Sequence, residues 1–480
     1  MRKNILSKSK ILKKAACFAL AISMLVTATA CGSSAASSSG TDSSGNNTLT
    51  VSVISKDQYL DAAVKKFQEQ HPGTTIEVQE YTSDPIPEGR IRIGEKAEDV
   101  EKYVTAVNTQ LMSGKGPDLM LLSPLPYENY IEKNLLANLS DMMESDKSFN
   151  IDEYYTKIID AMKHNGSLYG MPLSVNINVL QADKALLEKY GIKIDDSKWT
   201  WNDFEQTAAT IVDNSVKEGM QNVYALSGMD GSMLVSSLVS NEFGKFVDKS
   251  KKTAAFDSQD FTELLNLAQS MIDKGYMNTD TSEGEMTDLA SRGSAAFSVN
   301  NITAFFGLMF SKQFYGDGVE YLKYPGDGVD QSFTTNSLYG INDKSPNKAL
   351  AWEFLKFLIS GEMMSQPALV GLPINKDASI AAAQNVIDVS KKISDNNNGG
   401  GKGKAMINMN GLRINLKQPI TQEDVELVQD LLASANKYTK ADQQVLEIIQ
   451  EETKAFFEGQ KTADDTAKTI QDRVNTYIKE

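Results

Sequence analysis

The pattern of apolar and polar positions changes period repeatedly after residue 48. The stretch "LTVSVIS" (49–55) reads as a strand. In "YLDAAVKKFQEQHPG", Leu60, Ala63, Val64 and Phe67 fall on one helical face, and Pro72-Gly73 stops the helix. "TTIEVQEY" alternates Ile76 and Val78, which predicts a second strand. "VEKYVTAVNTQLMSGKGPDLMLL" predicts a helix ending near Gly114 and Gly116, then an apolar strand from Asp118. Strand–helix–strand–helix–strand implies an α/β fold with a parallel sheet and covering helices. Ligands of such sheets bind outside the carboxyl ends of the strands, which directs attention to the loops after Ile54 and Leu122.

Further along, Asn165-Gly166 is a hairpin signal, and "LYGMPLSV" reads as extended with a break at Gly170. "WTWNDFEQTAATIV" predicts a helix capped by Thr200, with Phe204, Ala208 and Ile211 inward. "SQDFTELLNLAQSMIDKGYM" predicts another, with Phe261, Leu265 and Ala268 inward and Gly275 at its end. "SRGSAAFSVNN" reads as a strand entering a polar loop. "SPNKALAWEFLKFLISGE" has Ser345 as cap and Pro346 in the first turn of a helix that buries Leu350, Phe354, Leu355 and Leu358. "DNNNGGGKGKA" reads as a flexible loop, and two amphipathic helices finish the chain.

The amino terminus has a different pattern. "MRKNILSKSKILKK" carries six cations and no acid, an apolar run "AACFALAISMLV" follows, and Ala28, Thr29 and Ala30 close it. About a dozen apolar residues fall short of the roughly 20 that span a bilayer. The arrangement predicts a secretory signal over residues 1–30. "TATACG" resembles the lipobox of bacterial lipoproteins, departing from it at Ala28, where Leu is usual. The resemblance implies that Cys31 carries lipid and begins the mature chain. Residues 31–47 are then lipidated cysteine and flexible tether, reaching about 20 Å.

Composition narrows the chemistry. Cys17 leaves with the signal, so no mature thiol is free for a disulfide, metal or nucleophilic role. Removing the six signal cations from 48 Lys and Arg, against 63 Asp and Glu, takes the formal charge from −15 to −21. That charge disfavours nucleic acid as a partner. The two histidines, His71 and His164, sit at a helix end and beside a turn, which argues against a Ser–His–Asp triad or a His-rich zinc site. "NGGGKGKA" fails as a phosphate loop, because Asn398 stands at the first glycine position and Ala405 at the magnesium-binding one. No catalytic residue, metal or cofactor is expected. The runner-up, a secreted lipoprotein glycoside hydrolase, needs two carboxylates at a spacing that sequence does not measure.

Several stretches carry a family likeness in order. They are "AVKKFQEQHPGTTIEV", "MSGKGPDLMLL", "NGSLYGMPLSVN", "WTWNDF", "SPNKALAWEFLKFLIS", "GLPINKD" and "EETKAFFEGQKTADDTAKTIQDRVNTYI". Together they resemble the family 1 extracellular solute-binding proteins, the receptors of carbohydrate ABC importers, over nearly all of the mature chain. The resemblance implies a two-lobed, periplasmic-binding-protein-like (type II) fold with solute in a cleft between the lobes. The implied N-terminal lobe takes 48–175 and 338–410, and the C-terminal lobe takes 176–337 and 411–480. It implies a sugar or oligosaccharide as solute, ABC permease transmembrane subunits as partners, a monomer, and a place outside the cytoplasm held to the membrane by lipid on Cys31. A solute sensor serving a membrane kinase is a further alternative.

Sugar clefts use amides and carboxylates for hydroxyls and aromatic faces for C–H surfaces. The loops matching the family's cleft supply Ser55, Asp57 and Tyr59 after the first strand, then Ser123 and Tyr127. The hinge segment supplies Asn176 and Asn178, and the far wall Asp230, Asn300, Asn301, Phe305 and Phe306. Tyr339 lies at the return crossing. Trp199, Trp201 and Trp352 match structural places. "LLSPLPYENY" lacks the Trp and the Asp-Arg pair of maltose-binding protein, which argues against maltodextrin.

Overall fold

The computed structural model describes residues 47–82, 84, 94–249, 251–279, 295–316, 318–326, 328–366, 368–398, 407–409, 412–414 and 416–479. The expected signal and Cys31 lie outside the described residues, as does the tether except Asn47.

The first sheet grows from the strand Thr48–Val53, in which Leu49, Val51 and Val53 are buried. It pairs in parallel with Thr75–Glu80 on one side and Leu119–Leu121 on the other. The helices Gln58–Gln70 and Ala97–Met112 make the two crossovers. The first packs Leu60, Ala63 and Phe67 into the core, as its periodicity predicts, and Tyr59 with them. Two further strands, Leu338–Ile341 and Met171–Pro172, complete the sheet in antiparallel sense.

Asp118 joins three parts of this unit. Its carboxylate accepts from the Thr50 amide (2.7 Å), the Thr50 hydroxyl (2.8 Å) and the Ser345 hydroxyl (2.5 Å). Ser345 therefore does not cap a helix as its sequence context suggests. Its hydroxyl turns to the buried carboxylate while accepting from the Asn347 amide (2.9 Å), and the helix starts later, over Lys348–Leu358 with Asn347 as cap. The hydroxyl proton goes to the carboxylate and a lone pair serves the Asn347 amide, so one hydroxyl ties the buried anion to the turn that leads into the helix.

The second sheet is built on the ten-residue strand Ser174–Asp183. It pairs antiparallel with Ala295–Ile302, Val319–Leu322, Gln331–Thr334 and Leu372–Pro373. Tyr224–Ser227 runs parallel to Ala295–Ile302 and to Met277–Asn278, and Ala435–Tyr438 runs parallel to Gln331–Thr334. Around it pack the helices Trp201–Lys217, Gly231–Asn241, Gln259–Asp273, Gln443–Phe457 and Ala463–Tyr477, sharing a core with Phe204, Phe256, Phe261 and Phe297. Thr200 caps the first of these helices in a reciprocal capping box with Asp203. Full burial of each aromatic contributes about 2 kcal/mol.

Two of the chain's passages between the sheets run side by side. One passage leads from Met171–Pro172 to Ser174–Asp183, the other from Gln331–Thr334 to Leu338–Ile341. The Leu173 amide donates to the Ser337 carbonyl (2.9 Å) and the Thr335 hydroxyl to the Ser174 carbonyl (2.7 Å). The Ser174 hydroxyl donates to the Val370 carbonyl (2.6 Å). Beside it, Gly371 adopts φ +107°, and a Cβ there would stand 2.2 Å from that hydroxyl. Only glycine fits such a position without displacing the crossing. Helix Gln422–Ser434 sends Val425, Val428 and Leu432 into a core that runs from the first sheet past the crossings and takes in Leu308 and Met309 of the helix Gly307–Tyr315, and its Asp424 pairs with Lys312 of that helix at 2.8 Å.

Asp118→Ala strands the donors of Thr50 and Ser345, and a loss of roughly 3 kcal/mol in unfolding free energy is expected, read by urea denaturation.

Candidate functional site

Topology places the candidate loops. The strands Thr48–Val53 and Leu119–Leu121 are parallel, so Ser55 and Ser123 leave the same end of the first sheet. The crossing strand Leu338–Ile341 begins at that end, where the Leu338 amide donates to the Ser123 hydroxyl at 3.0 Å. In the second sheet Ile302 stands opposite Ile177, near the start of the other crossing strand. Asp230 and Phe306 follow the carboxyl ends of Tyr224–Ser227 and Ala295–Ile302, which are parallel. The carboxyl ends of both sheets thus meet at the crossings.

Within that frame the candidates divide. Ser55 is half-buried and its hydroxyl donates to Glu95 at 2.5 Å. Asp57 caps helix Gln58–Gln70, accepting from the Leu60 amide at 2.7 Å, and its carboxyl is exposed. The surrounding protein walls still strip enough water to raise it above the usual carboxylate value. Asp230 caps helix Gly231–Asn241 through the Met233 amide at 2.8 Å. Tyr59 is 2% exposed and its hydroxyl donates to the Leu358 carbonyl. Tyr339 and Phe305 are also buried, and Phe306 is half-buried, 6.1 Å from Phe310.

Asn176, Asn178 and Asn301 share one face of the second sheet, and Asn300, opposite Val179, projects to the other. Asn178 lies opposite Asn301, and Asn176 opposite Thr334, so all four side chains project to the same side. Asn300 and Asn301 are exposed and belong to the strand itself, not to a loop after it. Asn176 donates to the Thr334 hydroxyl at 3.4 Å. Asn178 is buried and donates to Thr439 (3.1 Å) and Asn241 (3.5 Å), and Asn241 also accepts from Ser332 (2.8 Å). This polar seam runs from exposed Asn301 toward the interior.

A cavity of about 730 Å³ adjoins the seam at Asn241 and Thr439. Tyr127, Glu128 and Met162 line it from the side of the first core, Phe243 and Val247 from the side of the second. Lys440 crosses it. Its ammonium stands 3.9 Å from the centre of the Tyr127 ring, donates to the Leu125 carbonyl (3.1 Å) and pairs with Glu128 at 3.3 Å. Sequence reasoning reached Tyr127 but missed Glu128, Asn241, Thr439 and Lys440. Glu128 was adjacent to a candidate; Lys440 lies between two elements and carries no periodic or motif signal.

The three tryptophans take structural positions. Trp199 donates to the Lys323 carbonyl (3.2 Å), Trp201 meets Phe204 edge-on at 5.5 Å, and Trp352 donates to Asp146 (2.9 Å). Lys356 also binds Asp146, holding its carboxyl well below the usual carboxylate range.

Residues 52–364 match the model of the bacterial extracellular solute-binding protein family. The chain belongs to that family. It is a family of binding proteins rather than enzymes, working outside the cytoplasm with ABC transporters, and its fold has two lobes. The sugar-binding protein MalE of Xanthomonas citri is similar, with a TM-score of 0.60 and 15% identity over 90% of this chain and 97% of that one. So is a periplasmic oligogalacturonide-binding protein of Yersinia enterocolitica, with a TM-score of 0.58 and 15% identity over 90% and 99%. A Listeria monocytogenes ABC substrate-binding protein solved with cycloalternan has a TM-score of 0.51 and 18% identity over 90% and 99%. A putative binding protein of Brucella abortus is 20% identical over 340 residues, 66% of this chain and 73% of its own.

The geometry separates packing from presentation among the candidates. Tyr59→Phe is expected to cost about 1 kcal/mol of stability through its lost hydrogen bond while leaving solute affinity unchanged. Asn301→Ala, at an exposed position, should leave the denaturation midpoint alone and weaken solute binding, as calorimetry would show.

Proposed function

We propose that this family member is a lipid-anchored receptor that takes a sugar or oligosaccharide between its lobes and delivers it to an ABC importer. The observation that carries the reading is the meeting of both sheets' carboxyl ends at the paired crossings, with Ser55, Asp57, Ser123, Asn176, Asn300, Asn301 and Phe306 around them. Amides and carboxylates suit sugar hydroxyls; half-buried Phe306 and Tyr127 at the cavity wall offer aromatic surface. The names of the relatives from Xanthomonas, Yersinia and Listeria support a saccharide. Solute that contacts both lobes stabilises the closed state over the open one, and the permease then recognises the closed shape. The lobes divide at the crossings, 48–175 with 338–410 against 176–337 with 411–480.

A thermal-shift screen tests the solute class. Saturation at about 100 times Kd adds roughly 2.7 kcal/mol to the folded state, a shift of several degrees. Neutral oligosaccharides and oligogalacturonides should include at least one that raises Tm; a rise with peptides and with no saccharide would overturn the sugar assignment. For the anchor, mass spectrometry of the mature N-terminus should find diacylglyceryl on Cys31. A mature chain beginning elsewhere, without lipid, excludes it.

A further inference from the structure

Lys440 is attached to one lobe and spends its charge on the other. Its backbone follows the strand Ala435–Tyr438 of the second sheet and precedes helix Gln443–Phe457 of the second core. The segment is held on that side by Asp442, which caps the helix and pairs with Lys249. The polar contacts found for the ammonium, the Leu125 carbonyl and the Glu128 carboxylate, both come from the first lobe, as does the Tyr127 ring beneath it. The side chain therefore spans the cavity wall to wall.

We propose that Lys440 is an interlobe latch that holds the solute-free receptor partly closed and covers the face of Tyr127 until a solute displaces it. Three features give the latch the right strength. The Glu128 contacts, at 3.3 and 3.4 Å, are long for a charge-assisted hydrogen bond, so they can be exchanged. The ammonium stands 3.9 Å from the ring centre, a cation–π contact that strengthens where water is excluded. Burial opposes the charge, depressing the Lys440 pKa despite Glu128, so withdrawal into water recovers hydration that the closed position denies. A solute ring stacking on Tyr127 needs the surface that the ammonium holds, so the same contact that limits opening also sets a threshold for binding.

The latch rests on the two-lobed fold and not on which solute is bound, so its test uses none. Small-angle X-ray scattering of the purified, solute-stripped protein compares wild type with Lys440→Met and Glu128→Gln. Methionine keeps the apolar stem, and Glu128→Gln at a partly exposed helix position preserves folding if the first variant does not. A compact chain of about 430 residues has a radius of gyration near 22 Å, and each variant is expected to exceed wild type by about 1 Å at low salt. Raising NaCl from about 0.05 to about 1 M, where the Debye length falls to about 3 Å, should expand wild type by the same amount and leave Lys440→Met unmoved. Superimposable curves for wild type and both variants, or an expansion in Lys440→Met that Glu128→Gln lacks, overturn the proposal. A failed saccharide screen would leave this result intact.

Discussion

Two strands of the protein cross between its sheets next to each other, and the hydrogen bonds between the crossings are the constraint on which the rest depends. Leu173 bonds Ser337, Thr335 bonds Ser174, and Ser174 bonds Val370. These few contacts hold the passages in register where each sheet has its carboxyl ends. The close approach of Gly371 to Ser174 shows how little room the passage has. The energy stored in each sheet is large, but the crossings decide how the sheets face one another.

Around that hinge, polar groups are distributed by their distance from water. Asn301 remains exposed near the end of its strand, whereas Asn178 opposite it is buried and must be satisfied by Asn241 and Thr439. An unpaired amide at that depth would cost about 1–3 kcal/mol. The same sheet face therefore supplies both a surface able to meet hydroxyls and a structural seam beneath it. Lys440 occupies the opposite extreme, a charge kept in a partly dry cavity by one carboxylate, one carbonyl and one ring.

Asp118 illustrates a motif that was legible but whose reason was not. The segment "GKGPDLML" marks the entry to a buried strand in the sequence, and the strand Leu119–Leu121 is there. Its carboxylate serves Thr50 and Ser345, which lie 68 and 227 residues away in the chain. No local pattern contains that information. Ser345 reads as a helix cap because caps are local; its hydroxyl does accept from the Asn347 amide, but its proton goes to the distant Asp118 carboxylate, and the helix starts three residues later.

The order of elements, the parallel start of the first sheet, the inward faces of its helices and the family likeness were all determined by the sequence alone. They follow from period, capping and turn chemistry, which act within a few residues. Phe67 in the core and Thr200 at its cap needed nothing beyond their neighbours. Tertiary structure decided which candidates are presented and which are packed. Tyr59 follows the first strand and Tyr339 lies at the return crossing, where the sequence made both candidates, yet the fold buries both. It also brought Lys440 to Tyr127, across 313 residues of chain, because packing of two separate cores placed their connecting segments on opposite walls of one cavity.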